Sequence, residues 1–577
     1  MDRRNFLKMS LAVAASLAGC DSLANDLASS STGTLPPLFP GELDPLDLTA
    51  PGEMPPTEIP GPERFFGPDP ATEPRPTTTP TTFLDTFEHV VVLQLENRSL
   101  DNLFGYLYPT GVSPSGDPFN GVAGKSLSNR IPPYAPDSQE GLVPVSRAPG
   151  LPNPVVDPPE QWTAINLALY NQFNPPSNQF SKEEDDFAAP YNLPAQGAYF
   201  PPPMTGFVTA FYWRLLSLGH SATYDDYATV MQSLTPPTVP AISQVAQQNM
   251  VCDNWFCGIP SQTYCNRALF HAGSSAGFLI NAPFLKWVLL NDAPTIFESL
   301  TAAGRSWTIY YDALDILPFT RFLHYPRLRQ FPNEPPFFQN MVGFYVDVEA
   351  GALPDYSFIQ PRFLFMNNSY HPDYGAPACL RGEVLVNDIY QAIRMSNNAN
   401  GSNFLNTLFV ITFDEGGTCF DHVPPPPVVA PGDGYTPEYG FDFRRLGQRI
   451  PTILISPWLE QGSVISTEFH ATSLIRTLQQ KFGLGTLTQR DAASTSLQNL
   501  PFLSTPRTRT QMPRLRLRRL SEADRAPDGS APLRGMAAGL VGMVHAALTG
   551  QPEFPAGVNT IQDGIDHLQQ AAPLLRD

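Results

Sequence analysis

From Val90 to Leu95 the chain reads VVVLQL, almost wholly apolar, and changes character within one residue at Glu96 and Asn97. Leu408 to Phe413, LFVITF, has the same make-up and stops as sharply at Asp414 and Glu415. Apolar runs of this length without alternation predict strands buried on both faces, as in a parallel sheet covered by helices. Each strand closes in two oxygen-bearing side chains. In open α/β sheets, sites form outside the carboxyl ends of the strands. If these two strands are parallel neighbours, Glu96, Asn97, Asp414 and Glu415 meet at one edge. Three carboxylates so placed repel one another unless a cation lies between them. Taken singly, either pair could equally be turn or helix-cap residues, which Asp and Asn favour. Gly416 and Gly417 then allow a sharp turn, and Asp421, His422 and a proline run follow.

The same patterning divides the chain. Residues 1–20 have a basic start, an apolar run from Met9 to Ala18 and a small-residue end. That is the outline of an export signal, and the run is too short to span a bilayer. Arg3 and Arg4 ahead of Phe6-Leu7-Lys8 resemble a twin-arginine signal. Leu17 to Cys20 resembles a bacterial lipobox, in which the cysteine carries the lipid. Residues 21–84 carry Pro every few positions and no apolar period, which predicts an extended, disordered linker. A catalytic domain is expected over 85–500. Residues 501–577 follow as a strap, with seven arginines between Pro506 and Arg525, and two short amphipathic helices over 533–550 and 558–575.

Composition sharpens this picture. The chain has 577 residues and a formal net charge of -19, so non-specific binding to nucleic acid is excluded on charge. With 64 Pro and 41 Gly, long insertions must interrupt the α/β pattern. Of the six cysteines, Cys252, Cys257 and Cys265 lie close enough in sequence to suggest a local disulfide. No CxxC pair points to zinc.

A third stretch, VCDNWFCGIPSQTYCNRALFHAGSSAG from Val251 to Gly277, brings these signals together. The chain resembles the bacterial phosphoesterase family of phospholipase C and acid phosphatase type, within the alkaline-phosphatase-like superfamily. The family's ENRSFD stands here as Glu96 to Asp101 with Leu100 for Phe. Its DExGGxxDHV stands as DEGGTCFDHV, Asp414 to Val423, with the glycines displaced by one. Its TxPNR stands as Thr263 to Arg267 with Cys265 for Pro. Weaker matches include GRSWTIYYD at Gly304, GALPDYSFIQPRF at Gly351, an HP pair at His371 and LGQRIPTILISPWLEQGSV at Leu446. The likeness runs from about Leu84 to about Gly485. Two departures stand out: His470 falls one place early, and Glu160 stands where phospholipase-type members tend to have His.

The resemblance implies a mostly parallel sheet sandwiched by helices. It implies that Glu96, Asn97, Asp414 and Glu415 hold a divalent metal, and that Thr263 is both ligand and nucleophile. All-oxygen ligation suits Ca, Mg or Mn, with Zn also admissible. His371 and His422 are candidates for protonating the leaving alcohol or binding phosphoryl oxygens. Arg267 either pairs with phosphate or anchors the Thr263 loop. The expected activity is phospholipase C action on a glycerophospholipid. The alternatives are an acid phosphatase, and an inactive surface lipoprotein that keeps the fold for binding. The expected setting is a monomer in the cell envelope, held at the membrane surface through Cys20.

Overall fold

The computed structural model describes residues 68–76, 79–151, 154–171, 201–518 and 529–575. The export motif with Cys20, most of the proline-rich segment and part of the arginine-rich stretch lie outside these residues. The central sheet has eight strands: β1 (His89–Leu95), β2 (Met250–Cys252), β3 (Trp307–Tyr311), β4 (Phe338–Asn340), β5 (Tyr356–Ile359), β6 (Thr407–Phe413), β7 (Thr452–Ile455) and β8 (Val464–Ile465). Their spatial order is β8-β2-β7-β6-β1-β5-β3-β4. Only β7 runs against the rest. This mostly parallel sheet, flanked by helices, is the architecture the apolar runs predict.

The two runs lie side by side at its centre. β1 and β6 pair in parallel with Leu95 opposite Phe413, so both strands end at the same level. Val90 to Leu93 and Leu408 to Val410 are fully buried, which is why neither run alternates. Two backbone bonds carry the pairing past the strand ends: Glu96 N–H donates to the Ser369 carbonyl at 2.9 Å, and Asp414 N–H to the Leu95 carbonyl at 3.1 Å. Asn97 then adopts φ 54°, a left-handed turn that Asn tolerates. Gly417 faces it at φ +57°, where a Cβ would come within 3.1 Å of the Asn97 Cβ and carbonyl oxygen. Both the backbone sign and the space call for glycine there.

The helices that matter for the site are α1 (Leu100–Phe104), α2 (Trp162–Tyr170), α3 (Phe207–Ser217), α4 (Pro240–Gln248), α5 (Thr263–Ala272), α6 (Gly375–Met395), α7 (Ala471–Phe482), α8 (Gly535–Thr549) and α9 (Ile561–Ala571). α4 packs on α6, α5 on α7, and α8 on α9. α2 and α3 belong to the long insertion between β1 and α4 and pack on each other. The insertion is fastened where the Arg445 guanidinium lies 4.7 Å from the Trp162 ring centre and donates to Asn166 Oδ1 at 3.2 Å. Glu160 stands just before α2, so this anchor sets its position.

Three features depart from the sequence expectation. The cysteines suggested as a local disulfide are not bonded: Cys252, Cys257 and Cys265 are free and buried, as are Cys379 and Cys419. The end of the proline-rich segment is docked, with Asp69 ion-paired to Arg394 at 2.6 Å and Arg514 at 2.9 Å. The arginine strap, set after the catalytic domain in the sequence division, is tied into that domain. Arg507 donates to the carbonyls of Gln248 and Ser456, and Arg509 to the Arg394 carbonyl, so the two guanidinium groups satisfy carbonyls at the C-terminal ends of α4 and α6 and just past β7.

Candidate active site

Beyond the ends of β1 and β6 the four expected side chains converge. Asn97 N–H donates to Asp414 Oδ1 at 3.0 Å, and Glu415 N–H to the same oxygen at 2.8 Å. Gly417 N–H donates to Glu415 Oε2 at 2.6 Å. Arg267 Nε donates to Asp414 Oδ2 at 3.0 Å, and its remaining nitrogens reach Gln94 and the Leu95 carbonyl. Both side chains of that ion pair are 1% exposed or less. Arg267 therefore anchors α5 to the strand ends, and its fork is committed there rather than open to phosphate. Thr263 is the first residue of α5 rather than part of a preceding loop. Its Oγ1 donates to Glu160 Oε2 at 3.3 Å, and Asn97 Nδ2 donates to the same oxygen at 2.7 Å. The neighbouring hydroxyl, Ser261, is fully buried and donates to the Leu279 carbonyl.

Sequence reasoning noted Glu160 as a departure and gave it no role. The structure makes it the bridge between Thr263 and Asn97. Asp157, three residues earlier, lies 3.7 Å from His371 Nδ1. His371 belongs here as well, with Nε2 2.9 Å from Asn97 Nδ2.

The electrostatics are one-sided. Burial pushes Glu96 up to about 8, against the pull of Arg267. Burial also raises Asp414, and raises Glu415 well above its ordinary range, with repulsion from Glu160 adding to it. Glu160 and Asp157 are raised for the same first reason. Burial lowers His371 to about 3, so its ring is neutral. Both carboxylate oxygens of Glu96, Oδ1 of Asn97 and Oε1 of Glu415 are buried without a hydrogen-bond partner among the described residues. Unpaired buried acceptors of this kind cost about 1–3 kcal/mol each. A hard divalent cation is the group that oxygen-only acceptors with excess negative charge would satisfy. The donor set fits one.

The late motif builds a second cluster that looks similar in sequence and differs in substance. Oxygens of Asp101 and Asp421 and a His422 ring nitrogen lie within 4.8 Å of one another, a set that could hold a metal. Here, however, a cation is already in place. Arg449 reaches Asp421 Oδ1 and Asp101 Oδ1 at 3.0 Å each, and its Nη1 donates to the carbonyls of Asn120 and Asp253. His422 Nδ1 lies 2.5 Å from Asp101 Oδ2, and its Nε2 lies 2.6 Å from Lys125 Nζ. Its side-chain partners among the described residues are thus Asp101, Asn120, Lys125 and Arg449, and none of them belongs to the Glu96–Thr263 group. Asp101, on the first motif, holds the imidazole of the late motif. Burial opposes ionisation of Asp101, and Arg449 and His422 outweigh it, so its carboxyl is lowered. Arg98 ties the segment past β1 to the His371 loop, donating to the Tyr370 carbonyl at 2.9 Å. His271 packs among Phe270, Phe297 and Phe358.

Known proteins share this framework. Non-specific phospholipase C3 of Arabidopsis thaliana is 32% identical over 439 residues, covering 73% of this chain and 74% of that protein. Phospholipase C A of Mycobacterium tuberculosis is 26% identical over 442 residues, covering 70% and 74%. Among solved structures, the lipoteichoic acid synthase LtaP from Listeria monocytogenes superposes over 45% of this chain and 69% of its own, with 12% identity and a TM-score of 0.30. That score carries no argument, and the fold rests on the sheet described above. The Phosphoesterase family profile matches residues 87–485, the span that holds β1, α5, β6 and every side chain of the site. The chain belongs to the phosphoesterase family, hydrolases of phosphoric esters.

Proposed function

We propose that this protein is a divalent-metal-dependent phospholipase C that acts on glycerophospholipids through Thr263. One observation carries the reading. The buried, unpartnered oxygens of Glu96, Asn97 and Glu415 stand with Asp414 at the strand ends, and the Thr263 hydroxyl joins them through Glu160. Glu96, Asn97, Asp414, Glu415 and Thr263 would hold the cation. When bound, it supplies positive charge that favours the Thr263 alkoxide and polarises a phosphoryl oxygen.

The chain's own groups do the rest. Thr263 Oγ1 attacks phosphorus, and its proton passes to Glu160 Oε2 and on to the departing diacylglycerol oxygen. Water then cleaves the phosphothreonine and releases the phosphorylated headgroup. The positive end of the α5 dipole, at Thr263, favours the anionic phosphoryl group. Arg267 holds Asp414 in place. His371 is assigned to orienting the Asn97 amide, because a ring kept neutral by burial is a poor proton donor at neutral pH. The phospholipase names of the relatives point to a lipid substrate. The motifs at Arg3-Arg4 and Leu17 to Cys20 support export and lipid anchoring at the membrane surface. Among the described residues, no helix is long and apolar enough to cross a membrane.

The test is the purified full chain, assayed with Ca, Mg, Mn or Zn on phosphatidylcholine and on an aryl phosphate. Diacylglycerol release that stops on chelation is the expected result. Phosphate release from the aryl ester alone would make it a phosphomonoesterase. Inactivity on both would leave a binding protein.

A further inference from the structure

The family span ends at residue 485, yet a later segment reaches the site. Arg534 is the N-cap of α8. Its Nε lies 2.9 Å from Asp373 Oδ2, and its Nη2 donates to the Asp373 carbonyl at 3.2 Å. Its own carbonyl accepts from Tyr374 Oη at 3.0 Å, and its guanidinium stands 5.6 Å from the centre of the Tyr374 ring. Asp373 N–H donates to His371 Nδ1 at 3.2 Å, and His371 Nε2 stands at Asn97. Two hydrogen-bonded residues therefore separate Arg534 from a residue at the metal-binding edge.

This placement is built in. A Cβ on Gly539 of α8 would lie 1.4 Å from Oη of Tyr264, the residue after Thr263. A Cβ on Gly542 would lie 2.3 Å from the Phe284 ring. α8 is pressed against the start of α5 and cannot be a loose appendage.

The rim is short of positive charge. Asp157, Glu160 and Asp373 add to the carboxylates at the strand ends, while Arg267 is 1% exposed and committed to Asp414. Arg214 donates to the Asp157 carbonyl. The Arg534 side chain is 52% exposed, and its Nη1 has no partner among the described residues. A planar guanidinium, half exposed with one nitrogen unengaged, suits an incoming anionic oxygen.

We propose that Arg534 is a specificity-determining residue of this site, supplied from outside the family span, and that it favours phospholipids of net negative charge over zwitterionic ones. The inference rests on the phospholipase reading above. Losing one charge-assisted contact of this kind corresponds to roughly tenfold or more in affinity.

The experiment uses the full chain with its activating cation, on vesicles of phosphatidylserine, whose headgroup carboxylate offers Arg534 an anionic oxygen beyond the phosphodiester, and of phosphatidylcholine, which has none. The wild type is expected to show the lower KM on phosphatidylserine. R534Q should raise that KM about tenfold, leave the KM on phosphatidylcholine within about threefold and leave kcat on either lipid within about threefold. R534K should recover most of the loss. D373N, which frees Arg534, should shift the phosphatidylserine KM the opposite way. An R534Q protein that melts like wild type but loses kcat equally on both lipids would overturn the proposal, as would an unchanged ratio of the two KM values. If R534Q fails to fold, R534M carries the same comparison, and a ratio unmoved in both R534M and D373N overturns it too. A wild type that cleaves no phosphate ester defeats the phospholipase reading instead.

Discussion

The Glu96 and Asp101 clusters are built from the same two stretches of chain, Glu96 to Asp101 and Asp414 to His422, and each gathers carboxylates in the interior. They differ in where the compensating charge comes from. Around Asp101 and Asp421 the protein supplies it, because Arg449 donates to both carboxylates and spends its last nitrogen on two carbonyls. Around Glu96 the one buried cation among the described residues is Arg267, which touches Asp414 alone among the carboxylates. Glu96 and Glu415 are left with bare oxygens. One cluster is a finished ion network that binds strand ends to loops. On the proposed function, the other is finished by the cation it would bind. Close carboxylates do not by themselves argue for a metal site; that reading rests on the unsatisfied ones.

The largest effects should fall on the unfinished cluster. Thr263→Ala removes the hydroxyl on Glu160 and should cut turnover by several powers of ten, on the order of other deleted nucleophiles. Its circular dichroism should match wild type, and Thr263→Ser should keep measurable activity. Retained activity in Thr263→Ala, with loss in Ser261→Ala, would move the nucleophile two positions. Asp414→Asn comes next. Replacing an anionic ligand with an amide should lower cation affinity and turnover together, by more than the roughly 10–100-fold that loss of an outer partner costs. Calorimetric titration with the activating cation reads this directly, and full affinity in the variant would remove Asp414 from the site.

The finished cluster should answer in stability instead. Arg449→Met leaves Asp101 and Asp421 buried without their cation, and breaking such a pair costs about 3–5 kcal/mol. Urea unfolding should show that loss, while the folded fraction keeps its cation affinity. A drop in affinity without a stability loss would mean that the two clusters had been assigned the wrong way round.

Much of this was legible in the sequence. β1 and β6 could be read because burial on both faces leaves an unbroken apolar run, and their parallel pairing follows from helix-covered sheets. The four residues past their ends could be read because polarity changes there within one position. Glu160 could not be placed by pattern. It comes from a proline-rich loop with no periodicity, and the Trp162–Arg445 stack that positions it spans residues far apart in the chain. Arg449 and Arg534 were hidden for the same reason. An arginine in sequence is simply a charge, and only tertiary pairing decides whether it neutralises a core carboxylate or faces a substrate. The cysteines misled because nearness in sequence says nothing about sulfur separation in the fold.

pH should separate the clusters more gently. In chelated protein, burial raises Glu96 from 4.5 to about 8. The folded state then holds that proton more tightly than the unfolded chain does. Its contribution to stability is full below about 4.5 and is lost as pH rises through about 8. Added cation favours the ionised form, so the rise in Tm on adding it should grow across the same window. Asp101 has the opposite sign, since its carboxyl is lowered; its contribution holds above the ordinary carboxylate range and fades only in acid. Thermal melts with and without chelator between pH 5 and 9 read the first effect. Chelated protein that gains stability over that range would mean that Glu96 already has a cation partner in the chain.

The smallest expected effect distinguishes the two histidines. Both stand in family-like motifs, and both were candidates for the same chemistry. His371 stands at Asn97, on the unfinished side. His422 stands between Asp101 and Lys125, on the finished side. In His422→Gln, Arg449 still neutralises Asp101, and Asp101 Oδ2 keeps the backbone N–H of residue 422, 2.8 Å away in the wild type. The variant should lose about 1.5–3 kcal/mol, the range for a hydrogen bond to a charged group, and less than about tenfold in kcat. His371→Gln removes the ring that orients the Asn97 amide. Its loss should be at least about tenfold and should include weaker cation binding, as expected for a group supporting a ligand from behind. Both variants measured side by side at saturating cation give the order. If His422→Gln loses more turnover than His371→Gln while melting like wild type, His422 reaches the substrate and the boundary between the two clusters is wrong.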